Sequence, residues 1–290
     1  MSAYSNNMFG IKDYISGDTS TVETGGDVTS GIENINAADA GILPDINAMP
    51  GTELHSAKGA WLMPGVDYLK NESDTYETQT AAINSCLDKI VEYGFNTVIV
   101  QVNRGAKAIY KTGSVQQYYA ESGDILQYII DSSKQRGLLV YCSISLNTLA
   151  ESGLDMFNES HAEIMNNAVK DLCAYQLDGL MISDYTLLNN ERTYNEYLLH
   201  GGGMGFEKYK NECISDAVLN IVKTVRRAKS DMYLGLFVSS IWAEAGHAEG
   251  GYPAETVLPE AYTDNNADTL GWLKEGLFNF AVIDNGESTE

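Results

Sequence analysis

From Gly59 onward the apolar residues recur in two alternating modes. Short, nearly unbroken runs of β-branched and aromatic residues predict strands: AWLMP (60–64), NTVIVQV (96–102), LLVYCSIS (138–145), DGLMISDY (178–185), MYLGLFVSS (232–240) and FNFAVI (278–283). Between them, apolar positions return every three or four residues and predict helices over about 75–93, 124–137, 161–175, 206–229 and 266–276. Gly94 stops the first of these, and Asp124 and Gly137 bracket the second as N-cap and C-cap. Strands that are apolar on both faces and joined by helical crossovers form parallel sheets. Six such units fit either an open doubly wound sheet or most of a (β/α)8 barrel. A dinucleotide fold needs its glycine-rich turn after the first strand. GGGMG (201–205) instead follows the fourth strand without the GxGxxG spacing, which favours the barrel. The expectation is therefore a TIM-type (β/α)8 barrel domain over 55–290. It is incomplete, with about six β/α units, and is expected to be truncated at its C-terminus.

Residues 1–54 show neither period. They hold eight acidic residues against the single Lys12, among Gly, Ser, Thr and Asn, so they are expected to be a disordered or linker-like tail. MFGIKDYI (8–15) is the one patch in it suited to docking. Over the whole chain, 18 basic and 40 acidic residues give a net charge of −22. That field repels phosphate backbones and anionic lipid, which argues against nucleic acid or a membrane surface as partner. No apolar run approaches the roughly 18 residues of a membrane span. MSAYSNNMFG has no basic and apolar signal pattern, so the protein is either cytoplasmic or begins after a removed leader. Cys86, Cys142, Cys173 and Cys213 lie far apart in apolar contexts without a CxxC, and are expected to be buried free thiols.

An ordered series of motifs resembles the bacterial glycosyl-hydrolase-like barrels related to glycoside hydrolase family ten. The series runs KGAWL (58–62), NTVIVQVNRGAKAIY (96–110), SKQRGLLVYCSIS (133–145), DGLMISDY (178–185), LGLFVSSIW (234–242) and TLGWLKEGLFNFA (269–281). The resemblance spans about 58–283. It implies a barrel fold, an oligo- or polysaccharide partner, and an extracellular or cell-surface setting. The chain departs from the family pattern at Ser183, where the family has a first acid. It departs again at Asn147, two residues late for the family's Asn-Pro, and in its ending VIDNGESTE.

Residues at the C-terminal strand ends of such a barrel converge on one face. Here they are Asn103 and Arg104, Ser145 and Asn147, Asp184 and Tyr185, Ser239, Ser240 and Trp242, and Asp284. Carboxylates, amides and an indole suit sugar recognition, and glycoside hydrolysis usually takes two carboxyl groups. Asp184 is the candidate acid. Asp284 is the candidate partner, with Glu244 and Glu260 as alternatives. Asn103, Arg104, Ser145, Asn147, Tyr185 and Trp242 are the candidate substrate-binding residues. A carboxylate that only bonds loop amides is the competing reading of Asp184, and a non-catalytic glycan-binding barrel is the competing reading of the whole. No cofactor is expected. No metal is expected either, because His55, His161, His200 and His247 lack ligand spacing. GxSxG is absent, which disfavours a serine hydrolase.

Overall fold

The computed structural model describes residues 8–10 and 58–284, apart from 72, 106, 119–122, 147–158, 186–190 and 254–258. The strands are β1 (Met8–Gly10), β2 (Gly59–Leu62), β3 (Thr97–Gln101), β4 (Asn103–Arg104), β5 (Lys107–Ala108), β6 (Leu139–Ser145), β7 (Gly179–Ser183), β8 (Tyr233–Ser239) and β9 (Phe280–Asp284). The helices, numbered here in chain order, are α1 (Tyr76–Glu92), α2 (Ile125–Gln135), α3 (Glu159–Cys173), α4 (Glu191–His200), α5 (Phe206–Ala228) and α6 (Thr269–Lys274). Six strands pair in the order β9-β8-β7-β6-β3-β2, all parallel. This is the incomplete (β/α) barrel expected from the periodicity. Met8–Gly10, inside the MFGIKDYI patch, adds β1 antiparallel to β9. The remainder of the expected tail lies outside the described residues. Among the described residues no helix is long and apolar enough to cross a membrane.

Local signals account for the helix ends. Thr75 caps α1 by accepting from the Thr78 amide, Asp124 caps α2 by accepting from Gln127, and Asp268 caps α6 by accepting from Gly271. Gly94 and Gly137, just past α1 and α2, have φ of 75° and 73°, the left-handed turn that glycine adopts without strain. One element departs from expectation. The segment 191–200, outside every helix that the periodicity predicts, is the helix α4, and GGGMG links it to α5 with Gly205 as N-cap. Only Thr193 of α4 is buried, so the segment lacks the apolar stripe that betrays a helix in sequence.

Each strand alternates between two cores. One set of side chains, including Leu62, Val98, Val100, Val140, Cys142, Leu180, Ile182, Leu234 and Leu236, points outward. These residues meet the helices through Ile83, Leu87, Ile129, Leu172, Ile214, Val218 and Trp272. The alternate set faces inward, where Ile99, Tyr141, Met181, Phe280 and Val282 cluster with Trp61, Tyr233 and Phe237. The inner set shows that the sheet is strongly curved. Tyr141 on β6 and Phe280 on β9 meet edge-on at 5.5 Å, although β7 and β8 lie between them. Trp61 on β2 and Phe237 on β8 meet at 6.0 Å with three strands between. In a flat sheet, four strand steps would span about 19 Å at about 4.8 Å each, too far for these rings to touch.

Two inward-facing glycines make room for the rings. A Cβ on Gly179 would stand 2.3 Å from the Tyr141 ring, and one on Gly235 would stand 2.2 Å from the Phe280 ring. Burial also accounts for the thiols. All four cysteines are free, with Cys142 and Cys173 buried and Cys86 and Cys213 half-buried. Desolvation pushes the Cys173 thiol up to about 11 and the Cys213 thiol up to about 12, which keeps both protonated and unreactive. Gly179→Ala and Gly235→Ala are each expected to destabilise the protein by about 1–3 kcal/mol, the usual cost of overpacking a filled core. Thermal denaturation checks this, with Gly113→Ala, whose added Cβ meets nothing within 4 Å, as the neutral control.

Candidate functional site

Followed from bottom to top, the inward-facing column changes character. The lower layer is apolar and aromatic, whereas the positions at the C-terminal strand ends are polar. They are Gln101 on β3, Ser143 and Ser145 on β6, Ser183 on β7, Ser239 on β8 and Asp284 on β9. The register explains the change. Ser145 pairs with Ser183, and Ser239 pairs with Asp284 two residues further up, since the β7–β8 register sets Ser183 opposite Phe237. The parallel pairing that aligns the strands thus gathers hydroxyls, an amide and a carboxylate at one rim.

Asp184 follows β7 directly. Its φ of 49° puts it in the left-handed region, uncommon for a residue with a side chain but tolerated best by Asp and Asn. The Ser145 hydroxyl donates to its carboxylate. Asp184 is exposed by solvent-accessible area, yet neighbouring atoms displace enough water from its carboxyl to raise its pKa above the ordinary carboxyl value. The Ser145 hydrogen bond opposes the shift without cancelling it. Beside it, Ser183 and Ser143 share a hydrogen bond of 2.9 Å and form a buried pair of neutral hydroxyls.

Asp284 is exposed at the end of β9, and its carbonyl accepts from the Ser240 amide. One strand, β8, separates it from Asp184, which sets the two backbones about 10 Å apart at two strand spacings. Asn103 is buried at 3% exposure, and neither its side-chain nitrogen nor its oxygen has a hydrogen-bond partner among the described residues. Buried amides are nearly always paired, so this one marks a place where a polar group is expected.

The other candidates are held by the protein itself. Arg104 lies across the turn after β2 and donates to the Leu69 carbonyl, and a Cβ on Gly65 would meet its Nε at 2.9 Å. Tyr185 is buried. Its hydroxyl donates to the Phe237 carbonyl at 2.7 Å and its ring meets Trp272 edge-on, so it braces the rim from below. Trp242 is half-buried against Tyr262, its indole N–H donating to Asp268 Oδ1 at 3.0 Å. Asn147 lies outside the described residues.

The loop after β8 holds a grouping that spacing alone did not reveal. Ile241 bridges to Glu260, and the Tyr252 amide donates to the Ala243 carbonyl, so the segment folds back on itself. This brings Glu260, 6% exposed, against His247, with Nδ1 to Oε1 at 2.8 Å, and under the Glu244 amide at 3.0 Å. The hydrogen bonds from Glu244 and His247 hold the Glu260 carboxyl below its usual range. The only sequence signal was the short interval Glu244-Ala-Gly-His247, with the third member thirteen residues further on.

No protein-family model matches the chain, and no curated protein matches it. Solved structures that it resembles include the alpha-L-fucosidase isoenzyme 2 from Paenibacillus thiaminolyticus, at 11% identity over 61% of this chain and 32% of that one, with a TM-score of 0.46. A beta-1,4-D-mannanase from Cryptopygus antarcticus is 15% identical over 67% of this chain and 59% of that one, with a TM-score of 0.42. An exo beta-N-acetylglucosaminidase from Vibrio harveyi is 8% identical over 63% of this chain and 35% of that one, with a TM-score of 0.44. The chain thus matches between about a third and three fifths of the length of these proteins.

The raised pKa of Asp184 has a consequence for stability. A carboxyl whose pKa is higher in the folded state favours folding while protonated, and that contribution is lost as pH rises through the folded value. Asp184→Asn removes the ionisation and suits the left-handed backbone. Its melting temperature relative to wild type is expected to rise with pH, the difference growing from below 3.8, the ordinary value, to pH 7. Paired thermal melts across that range check this, and a pH-independent difference would show that the carboxyl is not desolvated.

Proposed function

We propose that this chain is a carbohydrate-active, glycoside-hydrolase-like protein that binds an oligo- or polysaccharide at the C-terminal face of its partial barrel. The observation that carries the reading is the desolvated Asp184 carboxyl at a polar rim above an aromatic core. A general acid must hold its proton near working pH, and water displacement around Asp184 favours that form. Asp184 donates this proton to the glycosidic oxygen, and Ser145 orients the carboxyl. Asp284 is the second carboxylate. A backbone separation of about 10 Å leaves side chains room to stand at either the roughly 5 Å of a nucleophile or the roughly 6.5–9.5 Å of a water-activating base. Asn103 offers a sugar hydroxyl an amide that has no partner among the described residues, and Trp242, on the loop after β8, offers a ring edge. The motif series likens the chain to the barrels related to glycoside hydrolase family ten, and an extracellular or bacterial cell-surface setting goes with that reading.

A second reading, a glycan-binding barrel without catalysis, is favoured by the Ser143–Ser183 hydroxyl pair standing where the related pattern has an acid. A glycan array followed by hydrolysis assays on every bound sugar separates the two. On a cleaved substrate, Asp184→Asn is expected to lower kcat by about 10²–10⁴-fold while binding persists. Full activity in that variant would remove Asp184 from the mechanism, and binding without turnover on all sugars would establish the second reading. Asn103→Leu is expected to leave the melting temperature nearly unchanged, because it removes a buried amide that has no partner among the described residues. The same change weakens glycan binding by about tenfold or more. A large loss of stability with unchanged binding would show instead that Asn103 serves only the fold.

A further inference from the structure

We infer that Glu244, His247 and Glu260 form a binding site for one divalent transition-metal ion of the zinc type. The side chains come from two limbs of the β8–α6 loop, and one donor atom from each lies within 4.8 Å of the other two. A bound ion holds nitrogen and oxygen ligands at about 2.0–2.2 Å, so donors must stand about 3–3.5 Å apart. His247 Nδ1 and the Glu260 carboxylate, joined by a hydrogen bond at 2.8 and 3.1 Å, stand close to that spacing, so the imidazole has to release its Nδ1 proton and the Glu244 carboxylate has to draw in.

The backbone prepares this geometry without the ion. The His247 amide donates to the Glu244 carbonyl at 3.0 Å, so the two residues share one turn. The Ala261 amide donates to the Ile241 carbonyl at 2.9 Å, and the Glu260 amide donates to Asp264, which fix the third ligand opposite them. The charge balance points the same way. Glu260 is nine-tenths buried, and its ion-pair partner among the described residues is an imidazole, neutral whenever it is unprotonated. No Lys or Arg ion pair to either glutamate is found among the described residues. Two carboxylates and an imidazole that gives up its Nδ1 proton on binding carry a net charge of −2 that a divalent cation would cancel. An imidazole with carboxylates suits zinc, manganese or iron(II), whereas calcium and magnesium prefer oxygen alone. With three protein ligands, water completes the coordination.

Metal here would clamp both limbs of the loop that carries Trp242 at the rim. It would also make Glu244 and Glu260 ligands, leaving Asp284 as the second carboxylate. The site stands independently of the sugar reading, since its ligands and its test involve neither Asp184 nor a glycan. Cobalt(II) is the probe, because its visible bands separate nitrogen and oxygen ligands from thiolates. Titration of the full chain is expected to saturate at one ion per chain, with weak visible bands and no thiolate charge-transfer band. Affinity should fall by at least about tenfold in His247→Ala and in Glu244→Gln, and remain unchanged in the double variant Cys86→Ser/Cys213→Ser. His247 has an exposed side chain, so its variant is expected to fold, and circular dichroism confirms that. Zinc should raise the melting temperature of wild type and not of His247→Ala. No saturable binding by wild type, undiminished binding by His247→Ala, or loss of binding in the cysteine variant would each overturn the site.

Discussion

Tyr141 and Phe280 meet edge to face above Gly179 and Gly235, and the shape of the molecule depends on that meeting. Two rings on strands three steps apart can touch only if the sheet bends toward them, and they can reach over the intervening strands only if those strands carry no side chain there. Trp61 and Phe237 repeat the arrangement closer to the rim. The interior of this partial barrel is therefore filled by large side chains reaching across the concavity. The layer above them is where the protein can afford polar groups.

That layering links the core to the candidate chemistry. In a parallel sheet all strands end on the same side, so one register determines which residues share a level. Here the register places Ser145 beside Ser183 and Ser239 beside Asp284. The left-handed backbone at Asp184 then brings its carboxylate within reach of the Ser145 hydroxyl. Tyr185 and Trp272 brace the same corner from below. The rim thus combines an acid with a raised pKa, neutral hydroxyls and the amide of Asn103, which has no partner among the described residues, above a packed aromatic floor. Asp268 joins the loop after β8 to α6 by capping the helix and accepting from Trp242.

The fold was legible because strands buried on both faces and helices with one apolar stripe leave different periods in a sequence. Six strands, their order of appearance, and five of the helices could be read from that alone. The helix α4 could not, since a helix that buries only Thr193 has no stripe to read. Among the site residues, position at a strand end was readable for Asp184, Asp284, Asn103 and Ser145. The state of each was not. Nothing in the order of residues distinguishes Tyr185, turned toward the helix layer with its hydroxyl occupied, from a tyrosine facing a ligand. Arg104, spent on the Leu69 carbonyl, looked the same in sequence as a free guanidinium.

What the sequence by itself determined is the alternation of strands and helices, the acidic balance of the chain and the polar character of its strand ends. Each is a property of neighbouring residues or of their sum. Only the tertiary structure decided the curvature of the sheet, the direction each rim side chain takes and the convergence of Glu244, His247 and Glu260. Those depend on contacts between residues far apart in the chain: rings three and four strands apart, and ligands on opposite limbs of a loop. The physical reason is that periodicity records which face of an element is buried, but not which distant side chain it is buried against.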